Sequence, residues 1–199
     1  MIDTLHIQSI EIIGICAPDV SFIQNVDGGI QVLSNDADIF KYEPDKVLLV
    51  NGLGSVKSTA KREEIYKKFK RKGYTFANVV HPSAIISQGA RLLEGAQIMA
   101  GAIIQTDSVI GVNSIVNTKV SVDHDCKIGD HVHIAPGATL SGGITVADGV
   151  HIGTGATIIQ GIHIGRSSLV AAGAVVTKEV REFSVVLGVP ARDEKNINN

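Results

Sequence analysis

The chain has 199 residues, of which 19% are charged, and a formal net charge of -2. That balance supplies no basic surface for nucleic acid, and no apolar run approaches the roughly 18 residues of a membrane-spanning helix, so no membrane insertion is expected. Cys16 and Cys126 are the only cysteines and the opening Met1-Ile-Asp-Thr-Leu-His6 has no secretory pattern, which excludes a disulfide framework and leads us to expect a cytoplasmic protein.

The first 80 residues read as α/β. Ile10-Glu-Ile-Ile-Gly-Ile-Cys16 and Val47-Leu-Leu-Val50 are expected to be buried strands. Ser58 to Lys72 is expected to be a helix, with Ser58 or Thr59 as N-cap, Ile65 and Phe69 on one face, and Gly73 as the stop. Its seven basic residues between Lys61 and Lys72 read as a solvated face or a phosphate-steering patch. Asn51-Gly-Leu-Gly-Ser55 joins strand to helix. Gly52 and Gly54 there either let backbone N–H groups cradle an anion or form a tight turn, and only two of the three glycines of a dinucleotide-binding loop are present.

Composition changes at Val80-His81-Pro82. Seven of the eight aromatics lie before this point, whereas 14 of the 21 glycines lie between His81 and Thr177. In that stretch, stepping by six from Ile86 through Leu92 and Ile98 to Val176 meets sixteen positions, all Ile, Leu or Val. Two residues before each lies a second column, from Ala84 to Ala174, that admits small or β-branched residues and no charge. Positions two apart face the same side of a strand, so each hexad is a short strand plus a turn, and three hexads close a triangular coil of 18 residues. Sixteen hexads give a little over five stacked coils. Cys126 falls in the inward column and is expected to be a core thiol, while Ile103, Ile115 and Ile159 should lie on the flat outer faces.

Four positions in the coil carry chemistry. His124 lies two residues beyond inward-facing Val122 and between Asp123 and Asp125, which suits a general base held by a carboxylate. Gly142 follows 18 residues later, on the same edge, where its N–H can meet a developing oxyanion. His133 and His151, also 18 apart, either bind a ligand or form a stacked surface ladder.

Asn117-Thr-Lys-Val-Ser-Val-Asp-His-Asp-Cys-Lys-Ile-Gly-Asp130, His131-Val-His-Ile-Ala-Pro-Gly-Ala-Thr-Leu140, Ala172-Gly-Ala-Val-Val-Thr-Lys178 and Gly188-Val-Pro-Ala-Arg192 together resemble the sialic-acid O-acetyltransferase type of sugar O-/N-acetyltransferase, whose close relatives N-acetylate nucleotide-linked 4-amino sugars. The resemblance implies a mainly β fold: a left-handed parallel β-helix of hexapeptide repeats over 81–178, a small truncated Rossmann-like α/β acceptor domain over 1–80, and a C-terminal tail over 179–199. It implies an acetyl-CoA-dependent acetyltransferase of surface glycan biosynthesis, working as a cytoplasmic homotrimer on a small sugar acceptor, with no nucleic-acid partner and no metal.

Residue by residue, it matches His124 to the catalytic histidine and Asp125 to its orienting carboxylate, with Asp123 as fallback. It places His133, Gly142, Thr154, Ala172, Lys178 and Arg192 along acetyl-CoA, and Asn117, Gly52 and Gly54 toward the acceptor. Met1-Ile-Asp-Thr-Leu5 matches the helix after the family's first strand and Gly-rich loop, so those two features are absent from this chain and weak affinity for nucleotide sugars is expected. O-acetylation of sialic or related nonulosonic acids is the alternative. Outside the family, a γ-carbonic-anhydrase-like lyase using His124, His131 and His133 as zinc ligands, or a non-catalytic scaffold, fits the repeat.

Overall fold

The computed structural model describes residues 1–17 and 30–194. From Val79 onward the chain forms two-residue strands separated by four-residue corners, and each strand pairs in parallel with the one 18 residues later, as Val109 does with Lys127 and His133 with His151. Three faces result. The first face runs from Val79–Val80 through Gln97–Ile98 and Ile115–Val116 to Leu169–Val170. The second face runs from Ile85–Ile86 to Val175–Val176, and the third from Arg91–Leu92 to His163–Ile164.

The two sequence columns are the inside of this prism. From Ala96 to Val176 every position of both columns is buried, including Cys126. Ala84, Ile86, Ala90 and Leu92 are only partly buried because no coil precedes theirs. Strands of two residues have no stability alone. At roughly 1.5–3 kcal/mol for each fully buried aliphatic side chain, the inward columns hold the coil together.

After Val176 the hexad breaks. Val180 bridges Ile164 and Val185–Leu187 pairs with Leu169 and Val170, an offset of 16 where the coil has 18. Two residues have dropped out of the last corner, yet the parallel ladder on the first face gains a further rung beyond Lys178. Arg192–Glu194 then pairs antiparallel with that rung.

The N-terminal part is held by different means. Gly14–Cys16 pairs in parallel with Gln31–Leu33, and Leu48–Leu49 with Thr75–Phe76, as two separate sheets among the described residues. Helix α1 (Ile2–Ile7) occupies the stretch expected to open the chain as a helix, and α2 (Ala60–Lys70) is the expected basic helix, ended by Gly73 at φ +88°. Tyr66, Phe69, Tyr74 and Phe76 form its aromatic core.

Three expectations need correction. The two strands expected to be buried are shorter than expected and not buried: only Gly14–Cys16 and Leu48–Leu49 are strand, and Leu48 is exposed. Arg62 is not part of a solvated face: it stands one turn before Tyr66 and two before Phe69, on the side of α2 that packs down, and is 1% exposed. Ile115 is also buried, because its ladder neighbours Gln97 and His133 hydrogen-bond to Asn51 and Ser55, so the 51–55 loop covers that face.

Candidate active site

His124 occupies the corner between the second and third faces. Val122 points inward, the chain turns, and Asp125 takes a left-handed backbone conformation (φ +58°) with its N–H donating to Thr106 O. In an extended chain the side chains of residues 124 and 125 would point apart. The turn brings them to one side, and Asp125 Oδ2 lies 2.7 Å from His124 Nδ1. Asp123 takes the other role, its Oδ1 accepting the His124 backbone N–H at 2.8 Å.

A carboxylate at Nδ1 places the ring proton there and leaves the Nε2 lone pair bare. The Asp125 hydrogen bond, backed by the charges of Asp123 and Asp125, holds the His124 pKa above its ordinary value against an opposing desolvation. The ring lies across Gly142, whose N–H has no acceptor among the described residues. A Cβ at position 142 would stand 2.5 Å from His124 Nε2, so the imidazole fits only over a glycine.

Of the remaining expected residues, four lie on two edges of the coil. Lys178 is exposed farther along the His124–Gly142 edge. Asn117, Thr154 and Ala172 lie on the edge between the first and second faces, where Thr154 and Ala172 are exposed in consecutive coils joined by the Gly173 N–H to Thr154 O bond. Arg192 is exposed on the terminal antiparallel strand. A Cβ at Gly54 would meet nothing within 4 Å, and one at Gly52 only Met1 Cε at 3.7 Å, so space does not require glycine at either.

His133 is 6% exposed and joins Asn117 to the N-terminal loop: Ser55 Oγ lies 2.6 Å from its Nδ1, and Asn117 Nδ2 lies 3.2 Å from its Nε2. His151 stacks edge-on against it, 5.0 Å between centroids, and meets the same Ser55 hydroxyl at 3.3 Å. Burial, with His151 and Arg62 nearby, pushes the His133 pKa down to about 4, and burial also lowers those of His151 and His131.

Sequence reasoning missed Ser55, and it missed the network that holds the Ser55 loop in place. Arg62 Nη1 donates to Asn51 O at 2.7 Å and to Leu53 O at 2.8 Å, and its Nε donates to Asn113 O at 3.0 Å. Gln97 Nε2 donates to Asn51 O, and Asn113 Nδ2 lies 2.9 Å from His131 Nδ1. The spacing of 18 between Asn113 and His131 is the one sequence signal that marked part of this cluster.

No family model matches the chain. Among solved structures it is similar to a histidine-to-asparagine variant of perosamine N-acetyltransferase from Caulobacter crescentus, in complex with CoA and GDP-perosamine. Identity is 32%, with 84% of this chain and 79% of that chain covered and a TM-score of 0.74. The chain belongs to the sugar acetyltransferase family. Two further solved structures agree. The acetyltransferase domain of PglB from Neisseria gonorrhoeae FA1090, in complex with acetyl coenzyme A, is 31% identical over 84% of this chain and 80% of that one, with a TM-score of 0.78. PerB from Caulobacter crescentus, with CoA and GDP-perosamine, is 29% identical over 97% and 90%, with a TM-score of 0.81.

Among the described residues, no three His, Cys, Asp or Glu side chains stand together as a metal site. In this acetyltransferase the three histidines weighed as zinc ligands serve different neighbours: His124 meets Asp125, His131 packs on Tyr66, and His133 meets Ser55.

Proposed function

We propose that the chain transfers the acetyl group of acetyl-CoA to the amino group of a nucleotide-linked sugar, with His124 as general base. The observation that carries this is the His124 ring itself: Nδ1 fixed by Asp125, Nε2 bare, and Gly142 flat beneath it. As the amine nitrogen bonds to the thioester carbonyl carbon, its proton passes to His124 Nε2 and the CoA thiolate leaves with the electron pair of the broken C–S bond. The Gly142 N–H meets the developing oxyanion. Thr154 and Ala172 line the pantetheine path, and Lys178 and Arg192 meet phosphate. The solved relatives support this reading, since histidine-to-asparagine and histidine-to-alanine variants of one of them were captured with CoA and GDP-perosamine.

Catalytic and cofactor residues lie on two different edges of one prism, which supports a homotrimer in which one copy's His124 edge faces a neighbour's Thr154 edge. We read the coil as left-handed and the N-terminal part as a Rossmann-like acceptor domain. The unit Leu48–Leu49, α2, Thr75–Phe76 supports the latter, being two parallel strands joined by a crossover helix. The free thiols of Cys16 and Cys126, and no helix among the described residues long and apolar enough to cross a membrane, support a cytoplasmic place.

A thiol-release assay with acetyl-CoA against a panel of nucleotide 4-amino sugars and nonulosonic acids tests the function. Release with an amino sugar, abolished in His124→Ala, is the expected result. Release with no amino sugar on the panel, or only with nonulosonic acids, overturns it. Light scattering should give a mass near three chains.

A further inference from the structure

The polarity of the hydrogen bonds around His133 is set by one main-chain group. The Thr118 backbone N–H can only donate, and it lies 2.7 Å from the Asn117 side-chain oxygen. The nitrogen of that amide therefore faces His133 Nε2 and donates to it. A neutral His133 then carries its proton on Nδ1 and donates to Ser55 Oγ. The Ser55 hydroxyl is left to donate to His151 Nδ1. Every bond in the run Asn117, His133, Ser55, His151 points the same way. Both ring nitrogens of His133 are occupied, so neither is free to meet a ligand. Among the described residues the run leaves a free N–H at each end, the second N–H of Asn117 and the Nε2–H of buried His151, and of these Asn117 is the one with a partly exposed side chain.

We infer that Ser55 and His133 are positioning residues: they lock the Asn117 amide in one orientation, so that its free N–H is presented to an oxygen of the sugar acceptor. The ligand's identity rests on the acetyl-transfer reading, whereas the locking does not. Ser55 is suited to this because its loop is secured without it. Arg62 and Gln97 hold the carbonyls of Asn51 and Leu53, and a Ser55 substitution leaves those bonds intact. The loop expected from sequence to grip an acceptor by its backbone thus also reaches across, through a side chain, to orient a residue of the coil.

Full-length protein with ring-15N histidine and side-chain-15N asparagine tests the inference by NMR, with His133→Gln and Asn117→Asp assigning the signals. His133 is expected as the Nδ1–H tautomer, the minor form in free histidine. Ser55→Ala should shift both the His133 ring nitrogens and the Asn117 amide, and Ser55→Thr, which keeps the hydroxyl, should restore them. With whichever amino sugar the release assay turns over, Ser55→Ala should raise the acceptor KM about 3–10-fold, the effect of one neutral hydrogen bond, with kcat little changed. An Nε2–H tautomer in the unsubstituted protein overturns the inference, as does an Asn117 amide indifferent to Ser55→Ala or a fall in kcat at constant KM. If Ser55→Ala does not fold, the tautomer of the unsubstituted protein and the Ser55→Thr signals decide. If no amino sugar is turned over, the proposed function fails, and the ring and amide signals alone decide the locking.

Discussion

His124 and His133 sit nine residues apart on one solenoid and have opposite surroundings. His124 has its side chain 48% exposed, a carboxylate on Nδ1 and a bare Nε2, and its pKa is raised. His133 is buried, has neutral partners on both nitrogens, and its pKa is pushed down to about 4. The first is built to take up a proton and the second to stay neutral and hold its neighbours. Residue type alone does not separate the two roles; the second ring nitrogen and its partner do.

The largest break in that contrast is His124→Ala. It should lower turnover about 10²–10⁴-fold, the usual contribution of a positioned base, with acetyl-CoA affinity by calorimetry nearly unchanged. Near-normal turnover would move the base elsewhere.

The buried member has a different signature. Its unfolded pKa lies near 6.5 and its folded pKa near 4, so above pH 6.5 both states are neutral and stability is full. As pH falls from 6.5 toward 4 the unfolded chain binds a proton that the folded one refuses, and stability is lost across that window. By linkage the loss is about 3 kcal/mol at most for His133. Urea melts between pH 7 and 4.5 should show it, and His133→Gln should flatten the slope; an unchanged slope would mean His133 is protonated when folded.

Gly142→Ala tests the seat of the His124 ring. The added methyl must displace Nε2, and a shift of about 1 Å costs on the order of 10² in rate. Asp125→Asn should have the smallest effect, about tenfold, because it removes orientation and basicity and leaves the base in place. The rate of the unsubstituted enzyme should rise with pH through the His124 ionisation. Without the carboxylate that holds the pKa up, the midpoint should move to lower pH. A midpoint unmoved in Asp125→Asn would assign the raised pKa to Asp123.

The repeat was legible because its cause is local: inward positions recur every six residues, and no other sequence rule produces that spacing. His124 was legible for the same reason, since its partners Asp123 and Asp125 adjoin it. Arg62 was not. Its acceptors are main-chain carbonyls, one of them at Asn113, 51 positions away, with no carboxylate in the set. A run of basic residues gives no sign that one guanidinium turns inward and holds a loop. Ser55 and Ile115 were hidden by the same fact, since nothing in the hexads records which of three similar faces the N-terminal part covers.

A parallel coil ends in a row of unpaired N–H and C=O groups, and a second molecule can add to such an end as the next coil does. Here both ends of the first face are occupied. Helix α1 lies against the opening strand Val79–Val80, and after the shortened corner the chain reverses so that Arg192–Glu194 runs antiparallel along the last rung. The Val175 N–H and C=O are taken by Gly188 and Ala191, which closes the second face at that end too. A reversed strand offers an incoming parallel coil the wrong hydrogen-bond phase. The two-residue deletion after Val176 thus acts as a length gauge, marking where a repeat that could propagate as a fibre stops as a discrete particle.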